Sequence, residues 1–206
     1  MEKQRLQEEK KKIIEFAQSK FFREGFYKTT VEEIAKDLMM SKNTIYKYFP
    51  NKEALVRETT HYLIKIIKTR IMGILSSRGN AIDKLVRIID FMGRYVMRMD
   101  DKWLKDIHIH APDLWEEIDR TRRILAYQNL AKLIEQGKKE KIIVDYPNEI
   151  ILTVFVASMR SVINPGFLTN LRYTNREAVN FTFNIILNGI LTKKGKNILN
   201  KLKLPT

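Results

Sequence analysis

Between Ser41 and Lys52 the chain carries Lys42, Lys47 and Lys52 and no acidic residue, interleaved with Asn43, Thr44, Tyr46 and Tyr48. These side chains donate and accept hydrogen bonds and hold positive charge, but none is a strong nucleophile at neutral pH. Their chemistry is recognition of a polyanion that presents hydrogen-bonding edges. On a helix at about 100° per residue, with Ile45 as origin, Asn43 lies near about 160° and Lys47 near about 200°. Both point away from an inward face made by Ile45, Tyr48 and Phe49 at i, i+3 and i+4. Thr44 and Tyr46 flank the outward face. Asn, Lys, Thr and Tyr suit base edges in a major groove. Lys42, Lys52 and the Thr30 hydroxyl suit phosphates.

Bond-making chemistry has no carrier here. With no cysteine, thiolate nucleophiles, thiolate zinc sites and disulfides are excluded. His108 and His110 stand at i, i+2, on different faces of a helix, and no close carboxylate pair completes a metal site. Glycine-rich phosphate loops, nucleophile elbows and zinc-protease motifs are missing. The sequence predicts no enzyme, no cofactor and no metal.

The positioning elements read as helices almost throughout. The first spans about 4–24 and is closed by Gly25. Thr30-Val31-Glu32-Glu33 has capping-box spacing and opens a short helix to Leu38. Ser41 caps a second short helix, which ends near Phe49 because Pro50 cannot continue it. Asn51 then caps a long helix to about Leu75. Further helices are predicted over about 81–99, 102–110 and 114–136, the last stopped by Gly137. Residues 138–147 read as a loop with an apolar patch at Ile142-Ile143-Val144. A helix over 148–163 follows. Thr174-Asn175-Arg176-Glu177 repeats the capping-box spacing and opens a helix to about Leu191. The tail 193–206 reads as basic, with at most one frayed turn.

The chain has 206 residues, 44% of them hydrophobic and 30% charged, with eight Gly and five Pro. Such sparse turn residues disfavour a β-sandwich or barrel, leaving an all-α fold. The formal charge is +14. Residues 1–60 hold 13 basic and 10 acidic side chains, so most of the excess, +11, falls on residues 61–206. The start, MEKQRLQEEKKK, is too charged for a signal peptide. The longest apolar run, Ile150 to Ala157, is broken by Thr153 and is far short of a membrane span. A cytoplasmic protein without a membrane partner is expected.

The two short helices form a helix-turn-helix candidate, with Ile34, Leu38 and Met40 inward and small Ala35 at the crossing. The stretch from Ile14 to Val56 resembles the N-terminal domain of the tetracycline-repressor (TetR) family of bacterial transcription regulators. The matching residues are Phe22-Arg23-Glu24-Gly25-Phe26, Thr29-Thr30-Val31, Ile34-Ala35, Ser41 through Phe49, and Asn51-Lys52-Glu53-Ala54-Leu55. One position departs from the pattern: the turn residue usually held by Gly is Met39. A left-handed backbone there costs a non-Gly residue roughly 1 kcal/mol.

The resemblance implies a three-helix DNA-binding domain over 1–50 and a helical effector-binding and dimerisation domain over 51–206. It implies a ligand-responsive repressor that binds a palindromic double-stranded DNA operator as a homodimer. Thr44, Tyr46 and Lys47 would approach bases, with Lys42 and Asn43 at the helix start. Tyr48 and Lys52 would grip phosphates. A small effector, anionic or hydrophobic, would sit among the aromatics Phe91, Tyr95, Trp103, Trp115, Tyr127 and Phe155.

Two helices carry more apolar surface than one small domain covers. Ten of the fourteen residues 150–163 are apolar. In the last main helix Glu177, Asn180, Asn184 and Asn188 confine polarity to one stripe. A two-fold four-helix interface through about 148–163 and 176–191 is therefore expected. The alternative reading is a non-catalytic helical interaction protein that applies its basic surface to an anionic membrane or RNA.

Overall fold

A computed structural model describes residues 2–96, 101–163, 167 and 173–202. Among the described residues ten helices carry the fold: α1 (Glu2–Glu24), α2 (Val31–Asp37), α3 (Lys42–Tyr48), α4 (Lys52–Leu75), α5 (Ala81–Val96), α6 (Asp101–His110), α7 (Pro112–Lys139), α8 (Asn148–Ile163), α9 (Asn175–Ile190) and α10 (Lys193–Leu202). No strand occurs among the described residues; Ile143 and Leu191 make one isolated antiparallel bridge. The all-α expectation holds. The chain divides into two compact units, residues 1–67 with 98–115, and residues 68–97 with 116–206.

The first unit is built on α1. Ile13, Ile14, Ala17, Phe21 and Phe22 are buried on one face of it, and Ile34, Ile45, Phe49, Leu55 and Val56 close the core. Polar contacts hold α1 to α4: Lys10 to Glu58 at 3.0 Å, and the Gln18 side chain donating to the Thr59 carbonyl at 3.1 Å. α6 packs on α1, where Trp103 is buried edge-on against Phe22 with ring centroids 5.1 Å apart.

In the second unit α8 packs against α9, and α5 packs against α9 and α10. The Glu140 carboxylate accepts the Ala81 backbone N–H at 2.9 Å, placing a negative charge at the positive end of α5.

The structure departs from the sequence expectations in three places. Gly137 does not end α7, which continues to Lys139 and turns at Lys141 with φ +59°. Instead, Gly137 lets Ile143 approach: a Cβ there would stand 2.5 Å from the Ile143 side chain. The apolar patch at 142–144 is not merely a loop, since Ile142 and Ile143 are buried. The described part of the basic tail, residues 193–202, is not frayed. It forms α10, anchored by the Thr192 N–H to the Ile142 carbonyl at 3.1 Å and by burial of Gly195. The part of the α5 expectation at 97–99 lies outside the described residues.

Candidate nucleic-acid interface

α2 begins where the sequence places it, and both capping-box bonds form. The Glu33 N–H donates to the Thr30 hydroxyl at 3.2 Å, and the Thr30 N–H donates to the Glu33 carboxylate at 2.7 Å. Those donors hold the Glu33 carboxyl below the ordinary glutamate value. The helix closes with a Schellman arrangement: Met39 N–H to the Lys36 carbonyl at 3.0 Å, and Met40 N–H to the Ala35 carbonyl at 2.9 Å. Met39 occupies the left-handed position with φ +55° and is 94% exposed, so it accepts the backbone strain and buries nothing in return.

A cation steadies the same helix end. The nearly buried Lys20 amine reaches Asp37 at 2.8 Å and Glu24 at 3.2 Å. The hydrogen bond to Asp37 holds the amine above the usual lysine value. Asp37 is the last residue of α2, where a carboxylate opposes the helix dipole, and Lys20 offsets it.

α3 is capped by Ser41, whose hydroxyl accepts the Thr44 N–H at 3.0 Å. Ile45 and Phe49 are fully buried, whereas Lys42, Asn43, Tyr46 and Lys47 are exposed and Thr44 is half-exposed. The outward face derived from the helical wheel is therefore the accessible one. Lys42 lies 3.7 Å from Glu32 in an exposed pair. Among the described residues Lys47 has no ion-pair partner.

Tyr48 and Lys52 are already engaged. The Tyr48 hydroxyl donates to Glu9 at 2.9 Å, and partial burial with that bond raises its phenol above the usual tyrosine value. The Lys52 amine donates to the Tyr27 carbonyl at 2.8 Å and lies 6.0 Å from the Phe26 ring centre. Burial lowers its pKa against the pull of Glu53 and Asp106. Thr30, spent on the cap, is exposed.

Sequence reasoning missed the support behind these residues. Asp106 on α6 accepts the Tyr27 N–H at 2.8 Å, and His110 stacks on the Tyr27 ring. Gly25 has φ +80°, and a Cβ there would lie 2.5 Å from an Asp106 oxygen. The loop before α2 is thus clasped by α6 on one side and Lys52 on the other. A carboxylate 79 residues away gives no local signal.

The described members of the aromatic set divide between the two units. Trp103 belongs to the first unit against Phe22, and Trp115, half-buried, meets His108 edge-on at 5.1 Å in the same unit. Phe91 is buried, Tyr127 is exposed, and the Tyr95 side chain lies outside the described residues. Of the described members, Phe155 lines the cavity in the second unit, together with Leu85, Ile134, Leu152, Phe183 and Leu187. That cavity is about 30 Å³ and its lining is apolar throughout. Among the described residues no three His, Asp or Glu side chains gather as a metal site.

Residues 13–59 match the model of the bacterial regulatory proteins of the tetR family. The likeness to that family rests on this N-terminal segment, which carries α2 and α3. The HTH-type transcriptional regulator YuxN of Bacillus subtilis (strain 168) is 42% identical over 69 residues, 34% of this chain and 24% of the relative. The chain thus spans about a quarter of the length of the first curated relatives it matches. In fold, the likeness extends beyond the matched segment. A transcriptional regulator from Cytophaga hutchinsonii superposes with TM-score 0.71 at 21% identity, covering 88% of this chain and 98% of that one. A putative regulator from Saccharomonospora viridis, solved in complex with choline, gives 0.68 at 22%, covering 91% and 100%. Among the described residues no helix is long and apolar enough to cross a membrane.

Proposed function

We propose that this chain is a non-catalytic, sequence-specific DNA-binding regulator, a ligand-responsive repressor acting in the cytoplasm. The observation that carries the reading is the division of α3. Ile45 and Phe49 are buried while Asn43, Tyr46 and Lys47 stand in solvent beside Thr44. Seated in a major groove, that face offers an amide, an amine and hydroxyls to base edges. Lys42 and the Thr30 hydroxyl, which accepts in the cap and keeps its own O–H, would turn toward the phosphates; Tyr48 would join them only by giving up its bond to Glu9. Lys52 uses one of its three donors on Tyr27 and keeps others for a phosphate.

A homodimer through α8 and α9 completes the reading. Ile150 and Val154, one turn apart on α8, are 59% and 50% exposed, and Phe181 and Ile185, one turn apart on α9, are 51% and 73% exposed. A second copy would cover them and set two α3 helices against half-sites about 34 Å apart. The apolar cavity favours a hydrophobic effector over an anionic one. At about 30 Å³ it is far smaller than the few hundred Å³ of a ligand pocket, so effector entry would have to widen it.

The test is the ratio of affinities for a sequence enriched from a random duplex pool and for random DNA, at about 0.15 M salt. A specific regulator prefers its site by at least about 10³-fold. Equal affinity would favour a protein that applies its basic surface to membrane or RNA without reading sequence.

A further inference from the structure

The positive excess of the second unit has a location. α10 follows directly on the 191–192 segment that bonds to the end of α7: Thr192 donates through its hydroxyl to the Lys141 carbonyl at 3.0 Å, and Lys194 donates to the Glu140 carbonyl at 2.9 Å. This brings Lys139 and Lys141 beside Lys193, Lys194 and Lys196, with Lys201 two turns along. All six are exposed. The two acids in the neighbourhood are committed elsewhere, Glu140 to Ala81 and Gln136, and Asp145 to Lys138. Among the described residues these six lysines have no ion-pair partner.

We infer that this lysine surface is a second, sequence-independent contact for the phosphate backbone of double-stranded DNA. Like charges gathered without counter-charges repel one another, and a polyanion relieves that repulsion. Lysines, as flexible point charges, suit a backbone whose phosphates need no fixed orientation. On the α10 wheel Gly195, Ile198 and Leu199 face the protein, while Lys193, Lys194, Lys196 and Lys201 share the outer half with Asn197 and Asn200. Gly195 is buried, Ile198 and Leu199 are half-buried and Leu202, on the same side, is 38% exposed, so the first two turns of the apolar side pack on the core and only its end is open. A membrane-surface helix would keep a whole apolar side for the acyl boundary, whereas this helix uses most of its own on the protein. The inference does not need α3 to read bases.

The experiment uses the full chain and a random-sequence duplex. Replacing Lys139, Lys193, Lys194, Lys196 and Lys201 together by Gln should flatten the dependence of log K on log salt by about two to four, at about 0.9 for each phosphate no longer neutralised. The five-fold Arg variant should keep the original slope. In the unmodified protein, DNA should protect these lysines from an amine-reactive label, which tests the surface even if the Gln variant does not fold. An unchanged slope or no protection overturns the inference. Loss of binding to vesicles of anionic phospholipid, with the DNA slope intact, overturns it in favour of a lipid surface. If the slope flattens while no sequence is ever preferred over random DNA, this inference stands and base reading by α3 fails.

Discussion

The Tyr27 ring lies flat on the His110 imidazole, with centroids 3.7 Å apart and planes 11° from parallel. Tyr27 belongs to the loop that delivers the chain into α2, and His110 is the last residue of α6. The same loop residue gives its N–H to Asp106 and its carbonyl to Lys52. Three groups from α4 and α6 therefore fix one residue, and through it the start of the helix-turn-helix.

Asp106 and Gly25 should be energetically coupled. Asp106→Ala is expected to cost about 1 kcal/mol through removal of the hydrogen bond to Tyr27. Gly25→Ala should cost about 2 kcal/mol, from positive φ and from the carboxylate in its way. In the double variant the second part of that cost disappears, so the two losses should not add. Urea denaturation of the four proteins checks this, and strict additivity would show that the contact is slack.

Met39→Gly should stabilise the protein by roughly 0.5–1 kcal/mol, since the side chain is exposed and only the left-handed backbone is at stake. The same denaturation measurement applies, and a loss of stability would mean that the methionine makes a contact worth more than the strain.

Acid should remove a defined part of the stability. The Glu33 carboxyl is held below its ordinary value by the Thr30 backbone and hydroxyl donors, and Glu177 is held the same way by Thr174. Folded values below unfolded ones contribute stability that is complete above about pH 4.5 and is lost as pH falls through the folded values. Glu33→Gln with Glu177→Gln keeps a capping acceptor but no charge to titrate. Melting temperature against pH from 7 to 3 should fall less steeply in the double variant than in the parent.

The sequence showed its local devices clearly. Thr30 with Glu33, Ser41 with Thr44 and Thr174 with Glu177 act over three residues, so spacing alone reveals them. The exposed face of α3 was legible for the same reason, because one turn of helix sets which residues oppose Ile45. What was hidden depends on distant partners. Gly137 reads locally as a stop, but its role is set by Ile143, which packs into the space a side chain would fill. α10 is rich in lysine and poor in local helix stops or starts, and it forms because Gly195 and its neighbours bury against the 142–143 segment. The packing of Trp103 on Phe22, across 81 residues of sequence, likewise left no local signal.

Base recognition by α3 is tested most directly by selecting bound duplexes from a random pool with the unmodified protein and with Lys47→Ala. The unmodified chain should enrich a two-fold symmetric sequence, and the variant should shift base preference at the same position in both halves. Recovery of an identical sequence with the variant, or no enrichment with either protein, would contradict base reading by this helix.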